Sequence, residues 1–268
     1  MSIGSRSVVL QRRLTIADRI RRHGITRVEA LSKELGVSVV TIRGDLAYLE
    51  EQGLVVRSAG QARPNPTAGI KVAALPDLSR TEALPMLRIA AGLAGQDMAV
   101  LLGAGSLTGQ LIPHLPTGID FRLVLSDLNA LAIARACLDG PLHLLGGELD
   151  RDSNRLDGPQ SLHALSLHVI GLFVLQVQAI SPAALLLPPG ASEPFNRAAA
   201  RRAGHAVALV NGNGLHTAVG LPQLATQCVD HVILPASAHR EALGHLAETG
   251  FHQVPLPKTT AYLFSKPK

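Results

Sequence analysis

The sequence predicts an α+β protein with two domains, an N-terminal winged helix-turn-helix and a larger C-terminal α/β domain. The first 72 residues hold twelve Lys and Arg against six Asp and Glu, so they carry all of the net charge of +5. Before residue 60 the apolar residues have the spacing of closely spaced helices. After residue 85, predicted strands alternate with predicted helices. The length of 268 residues is also typical of two domains.

The composition narrows the class of protein. At 47% hydrophobic and 17% charged residues, the chain can bury a sizeable core and is not a disordered tail. Two cysteines, Cys137 and Cys228, are too few for a disulfide framework, so we expect reduced thiols in a cytoplasmic protein. No apolar segment follows the early arginines, so no signal peptide is expected. The apolar run over 169–180 contains Gln176 and Gln178 and predicts a buried strand rather than a membrane span.

Two helices are predicted first. Apolar residues at Leu10, Leu14, Ala17 and Ile20 have helical spacing and predict a helix that ends near Gly24. Thr-Arg-Val-Glu over 26–29 has the spacing of a capping box and predicts a second helix over 28–35.

A third helix is predicted over 39–52, with Ser38 as its N-cap, and the stretches around 54–56 and after Gly60 predict a two-stranded wing. Ile42, Leu46 and Leu49 share one face of this helix and are expected in the core. The first turn of such a helix meets the major groove, where side chains reach base edges. We therefore predict the following DNA-binding residues: Ser38, Val39, Val40, Thr41, Arg43, Arg57 and Arg27.

The predicted DNA contacts differ in kind. Val39, Val40 and Thr41 suit thymine methyl groups, Arg43 suits a guanine or a phosphate, and Arg57 on the wing suits a phosphate. The alternative is a three-helix protein-interaction module with a solvated basic face. The charge asymmetry and the helix spacing together favour DNA.

We place the DNA-binding domain at residues 1–62, a linker rich in Pro and Gly at 63–85, and the α/β domain at 86–268. Strands are predicted at 98–102, 121–126, 142–145, 172–177, 205–210 and 231–234. Helices are predicted at 107–114, 128–138, 195–204 and 238–249. Such alternation is typical of a mainly parallel sheet.

Residues 13–60 resemble the N-terminal domain of the DeoR family of bacterial transcriptional regulators. The matching motifs are Val28-Glu29-Ala30-Leu31, Leu35-Gly36-Val37-Ser38, Thr41-Ile42-Arg43, Asp45-Leu46 and Leu49-Glu50-Glu51-Gln52-Gly53-Leu54. Two positions depart from the family pattern. Gly44 stands where the family has a second Arg, and residues 57–61 replace its Arg-x-His-Gly-Gly wing.

The C-terminal half resembles the sugar-phosphate-sensing domain of the same family, which is similar in fold to ribose-phosphate isomerases and CoA transferases. The resemblance rests on turns at 103–106, 126–129 and 144–148, each after a predicted strand, where an open α/β sheet binds its ligand. The implied effector-binding residues are Gly103, Gly105, Ser106, Thr108, Ser126, Asp127, Gly147 and Arg197.

This part of the family pattern is eroded. Gly103 and Leu107 replace an Asp and a Thr, and Leu125-Ser126 replaces Thr-Asn. Asn196, Asn211 and Gly214 replace a Lys, an Asp and a Lys. Two alternatives follow: a pocket that prefers a different, less acidic ligand, or a domain that has lost its ligand and only mediates oligomerisation.

The resemblance implies a cytoplasmic regulator, a repressor of a carbohydrate-metabolism operon controlled by a phosphorylated sugar or related metabolite. Its expected partners are double-stranded operator DNA, the effector, and itself as a dimer or tetramer. No cofactor, metal site or catalytic residue is predicted, because the histidines are scattered and no nucleophile has a base partner. The alternatives are an effector-independent DNA-binding oligomer and a sugar-phosphate isomerase-like enzyme with a nucleic-acid-binding appendage.

Overall fold

The computed structural model describes residues 3–51, 54–58, 60–64, 80–151, 153–215, 220–257 and 259–267. Contacts divide the chain into two compact units, Met1–Lys71 and Val72–Lys268. Residues 65–79 of the predicted linker lie outside the described residues. The predicted end of the linker at 85 is wrong, because a helix with Pro85 inside it already begins at Arg80.

The N-terminal unit is a winged helix-turn-helix, as predicted. Its helices are α1 (Ile3–His23), α2 (Val28–Leu35) and α3 (Val39–Glu51), and its strands are β1 (Thr26–Arg27), β2 (Val55–Ser58) and β3 (Gln61–Pro64). The strands pair in the order β1-β3-β2. Gly36 links α2 to α3 with a φ of 65°, a left-handed conformation that glycine adopts without strain.

The predicted apolar face of α3 is confirmed. Ile42, Leu46 and Leu49 are at most 2% exposed and belong to one cluster with Ile16 and Ile20 of α1. Each such side chain contributes about 1.5–3 kcal/mol when it leaves water, so this small cluster is the main apolar support of the unit.

The predicted capping box at Thr26 is wrong. Thr26 lies in β1 opposite Ala62 of the wing, and its hydroxyl donates to the Gly24 carbonyl. Arg27 is the N-cap residue of α2, and its side chain makes no capping hydrogen bond. The backbone at Thr26 is extended because it pairs with β3 of the wing. The capping-box pattern is local in sequence and gives no information on this long-range contact.

A buried carboxylate joins α1 to α3. Asp45, with a side chain 2% exposed, accepts from Arg12 Nε at 2.6 Å and from Arg13 Nε at 2.9 Å. The Arg13 guanidinium also lies 3.9 Å from the centre of the Tyr48 ring. Because a buried carboxylate without a partner is costly, this pairing ties α3 to α1 at one register.

We predict that Asp45→Ala lowers the stability of the α3 region by about 3 kcal/mol, since it leaves two partly buried guanidinium groups without their partner. Hydrogen exchange of the α3 amides in the full chain measures this loss. The matched control is Glu34→Ala, which removes the more exposed partner of Arg19 and should cost under about 1 kcal/mol. Equal small effects of both substitutions would contradict the assigned role of Asp45.

The C-terminal unit is an α/β domain, as predicted. Its main sheet has the order β15-β16-β14-β12-β9-β4-β5-β6. The strands of that sheet are β4 (Ala99–Leu102), β5 (Arg122–Leu125), β6 (Leu142–Leu144), β9 (Leu172–Val177), β12 (His205–Val210), β14 (His231–Leu234), β15 (His252–Val254) and β16 (Tyr262–Ser265). The six from β14 to β6 in this order are parallel, and β15 and β16 add an antiparallel edge.

Helices and two small sheets complete this unit. The helices are α4 (Arg80–Gly92), α5 (Ser106–Leu111), α6 (Leu131–Cys137), α7 (Pro159–Ser166), α8 (Glu193–Arg202) and α9 (Arg240–Glu248). The small sheets are the hairpin of β7 (Glu148–Asp150) with β8 (Arg155–Asp157), and β10 (Ala179–Ile180), β11 (Ala184–Leu186) and β13 (Gln223–Ala225). Two apolar clusters pack against the main sheet, and each contains side chains from β4, β5, β9 and β12.

Both cysteines are free thiols and partly buried, and burial raises the pKa of Cys137 to about 12. Among the helices that the structure describes, none is long and apolar enough to cross a membrane.

Candidate functional site

The first turn of α3 presents a small exposed surface. Ser38 caps the helix, because its hydroxyl accepts from the Thr41 N–H at 3.1 Å and lies 2.8 Å from the Thr41 hydroxyl. Val40 is 76% exposed and Arg43 is also exposed, whereas Val39 packs partly against the core. Of the predicted contacts on this turn, Ser38, Val40 and Arg43 are therefore the most accessible.

Gly44 lies on the exposed face of the same helix, and no steric constraint requires a glycine there. A Cβ built at this position meets no atom within 4 Å, and the residue is exposed. Glycine inside a helix costs about 1 kcal/mol relative to alanine. This departure from the family pattern therefore removes a side chain where there is room for one.

Arg57 of the wing is held by Glu50 of α3. Arg57 donates from its backbone N–H to Glu50 Oε1 at 2.9 Å and from its Nε to Glu50 Oε2 at 2.6 Å. These two bonds lower the pKa of Glu50. Arg57 is exposed and so is Arg27, and a phosphate contact by either stays a prediction.

A cavity of about 30 Å³ lies at the carboxyl ends of the parallel strands of the second unit. The described residues that line it are Ala104, Ser126, Arg155, Leu156, Asp157, Gln176, Pro188, Ala191, Ser192, Phe195 and Asn196. The position agrees with the expectation for an open α/β sheet. Of the predicted effector residues, Ser126 lines the cavity directly.

The Gly103–Ser106 turn borders the cavity. Gly103 is packed against Phe173 and Leu175, and Thr108 is buried with its hydroxyl donating to the Gly105 carbonyl at 2.8 Å. Ser106 donates to Gln176 Oε1 at 3.3 Å. The turn is thus held by bonds within the protein.

Asp127 is buried beside this turn. It is 6% exposed, and its Oδ1 accepts from the Asn129 N–H at 2.8 Å. Burial raises the pKa of Asp127, while its hydrogen bonds to Asn129 and Gly105 and the charge of Arg155 oppose the rise. The carboxylate is therefore held mainly by backbone groups, with Arg155 as the nearby cation.

Two predicted effector residues have other surroundings. Gly147 packs so closely against Ser161 and the Asp157 carbonyl that a side chain there would collide with both. Arg197 is half exposed and pairs with Glu193 at 3.3 Å one turn earlier in α8, and the structure does not bring it into the cavity lining.

Sequence patterns alone do not identify Arg155, Asp157, Gln176 and Ser192 as lining residues. Gln176 was a polar residue in an otherwise apolar strand, a signal that could have marked it. The β7–β8 hairpin brings Arg155 and Asp157 to the site across a large sequence separation, which no local pattern indicates. Within the described part of the chain, no group of three His, Cys, Asp or Glu could hold a metal ion.

The first unit has the architecture of a helix-turn-helix protein, with three helices, a Ser38 cap on the third, and a wing. The family model of the DeoR-like helix-turn-helix domain matches residues 12–67. A protein assigned as an aga operon transcriptional repressor from Escherichia coli O157:H7 is 31% identical over 63% of this chain and 65% of its own length. The HTH-type transcriptional repressor GlcR of Bacillus subtilis is 27% identical over 64% of this chain and 67% of its own. Residues 12–67 therefore form a DeoR-like helix-turn-helix domain.

The coverage of these relatives is partial, and the chain has two further similarities. The alignment with the aga repressor spans slightly less than two thirds of that relative. The HTH-type transcriptional regulator GlpR of Haloferax volcanii is 30% identical over 62% of this chain and 66% of its own length. Ribose 5-phosphate isomerase A of Methanocaldococcus jannaschii is 15% identical, with a TM-score of 0.36 over 69% of this chain and 78% of that protein.

We predict that Asp127→Asn raises the thermal midpoint of the second unit at about pH 8. Asn keeps the acceptor for the Asn129 N–H and gives up the bond from the Gly105 N–H, but it removes the buried charge, whose desolvation is the largest influence on this group. Since the folded pKa is raised, ionisation of Asp127 weakens the fold above that pKa, and the cost vanishes below the unfolded value of about 4. The advantage of Asn should therefore shrink as the pH falls. A lower midpoint than wild type at pH 8 would instead mean that the attraction to Arg155 and the bond from Gly105 outweigh the cost of the buried charge.

Proposed function

We propose that the chain is a DNA-binding transcriptional repressor that acts in the cytoplasm. The observation that carries this proposal is the geometry of α3. The helix is capped by Ser38, exposes Val40 and Arg43 to solvent, and is joined to α1 through Asp45 on its opposite face. An exposed apolar side chain beside an arginine suits a major-groove edge, where thymine methyl groups and guanine acceptors occur. The names of the aga and GlcR relatives, both repressors, support the same function.

The regulated genes, in this proposal, belong to carbohydrate metabolism. The aga operon of the Escherichia coli relative supports this class of target. A small module contacts one half-site, so a dimer or tetramer would read an operator with two. The second unit would supply the self-association and receive a metabolite signal, with the predicted sugar phosphate or a related compound as ligand and no reaction catalysed.

An effector-independent repressor is the second candidate. The cavity of about 30 Å³ is far smaller than the several hundred cubic ångströms typical of ligand pockets. In that case the second unit would only hold the DNA-binding units together. Operator binding that no metabolite changes would be the result expected.

We predict that Arg43→Ala weakens binding to a selected operator by about 1–3 kcal/mol if Arg43 contacts a base. Fluorescence anisotropy with the full chain measures the loss on the selected duplex and on a scrambled one. Arg19→Ala is the matched control, because it also removes one positive charge, but from a side chain paired with Glu34. An equal loss on both duplexes would make Arg43 a phosphate contact, and no loss would remove α3 from the interface.

We also predict that Gly44→Arg strengthens DNA binding. The substitution removes a helix penalty of about 1 kcal/mol and adds a cation where a Cβ meets nothing within 4 Å. An added phosphate contact should steepen the dependence of log affinity on log salt by about one. Gly44→Ala gives the helix gain without the charge, so an equal effect of both variants would contradict a phosphate contact at this position.

A further inference from the structure

Gln176 fills the space that the Gly103–Ser106 turn would offer to a ligand. Its Oε1 accepts from the Leu107 N–H at 2.9 Å and from the Ser106 hydroxyl at 3.3 Å. The amide lies so close to Gly105 that a Cβ there would be 2.6 Å from Gln176 Oε1. The Leu107 N–H and the Ser106 hydroxyl therefore already have an acceptor within the protein.

On the opposite side of the cavity, the N–H groups of Phe195 and Asn196 are occupied too. At the start of α8 the Ser192 hydroxyl accepts from the Phe195 N–H at 3.3 Å, and the Asn196 N–H donates to the Ser192 carbonyl at 3.0 Å. The Asn196 amide also donates to that carbonyl, at 2.7 Å. A phosphate at this position would have to displace these bonds.

The charges at the cavity do not favour a dianion. Arg155 is the single cation among the described lining residues, and its Nη1 is 3.5 Å from the Pro189 carbonyl. Asp157 lines the same cavity, and the buried Asp127 lies near Arg155. Since a buried phosphate needs several positive or N–H partners, one arginine beside two carboxylates does not offset the loss of its hydration.

The remaining groups suit hydroxyls. Ser126 and Asn196 are mostly buried neutral side chains. The Asp157 carboxylate accepts hydrogen bonds and the Arg155 guanidinium donates them, so two neighbouring hydroxyls of a ligand could bond to both. Sugars and polyols present such alternating donors and acceptors without a net charge. At about 30 Å³ the cavity is smaller than a monosaccharide, so binding of a sugar by these groups includes a widening of the cavity.

We propose that this cavity takes an uncharged sugar or polyol in preference to its phosphate ester, and that Gln176 is the residue that sets this preference. The inference rests on the proposed function, because it names the ligand class of the regulatory unit. It replaces the sugar phosphate expected from the family resemblance with the unphosphorylated compound.

The test uses the full chain and matched pairs of compounds: glucose and glucose 6-phosphate, ribose and ribose 5-phosphate, sorbitol and sorbitol 6-phosphate, with inorganic phosphate as a further probe. Thermal midpoints and titration calorimetry measure binding. In wild type, at least one neutral compound should bind and its phosphate ester should bind about tenfold more weakly or not at all.

Substitutions at Gln176 then test the cause. Gln176→Ala releases the Leu107 N–H and the Ser106 hydroxyl, so the phosphate ester should gain about tenfold in affinity relative to the neutral compound. Gln176→Glu keeps an acceptor for both donors and adds a negative charge, so it should exclude the ester as wild type does. Gln176→Ser serves as a second shortened variant if the alanine variant does not fold.

Three results would overturn the inference: an ester that binds wild type at least as tightly as its neutral parent, no binding of any neutral compound, or an unchanged preference in the shortened variants. Operator binding by the same preparations is measured separately. Failure of DNA binding would refute the proposed function, whereas intact DNA binding with a preference for the phosphate ester would refute this inference alone.

Discussion

The pairing of Asp45 with Arg12 and Arg13 is the interaction on which the N-terminal unit depends. It places a 2%-exposed carboxylate against two guanidinium groups of the neighbouring helix, and so fixes the rotation of α3 about its own axis. With Ile42, Leu46 and Leu49 in the core, that rotation leaves Val40 and Arg43 outside. Part of the positive charge of this unit is therefore internal, and the net charge overstates what is available to phosphates.

The same distinction between internal and available groups governs the second unit. The turn after β4 has the glycines and the hydroxyl of an anion-binding loop, yet the Leu107 N–H and the Ser106 hydroxyl bond to Gln176. Arg197, which the resemblance suggested as a ligand contact, bonds to Glu193. If this unit controls the first, its ligand must bind the DNA-competent and incompetent forms with different affinities.

Much of the fold could be predicted from the sequence because its strands are continuous apolar runs. The predicted bounds of β9, β12 and β14 agree with the structure, and each of these strands is buried almost throughout. One error lies where pairing between residues far apart in sequence sets the backbone conformation, because Thr26 is extended by its partner in the wing. The other is the helix that begins at Arg80, where the surrounding prolines had indicated a linker.

The candidate sites show the same limit. Ser38 could be identified as the cap of α3 because a cap is a local feature. Arg155 and Gln176 come from different elements and meet at the cavity only through the sheet order, so single-sequence patterns did not identify either as a lining residue. The resemblance located the strand ends but not the side chains that occupy them.

Sequence reading by α3 is tested most directly by selecting duplexes from a random DNA pool with the full chain and sequencing them. We predict enrichment of a common motif with two related half-sites, and loss of that enrichment in the Val40→Ala/Arg43→Ala double variant. A pool that stays random, with binding that depends on salt but not on sequence, would contradict a sequence-reading repressor.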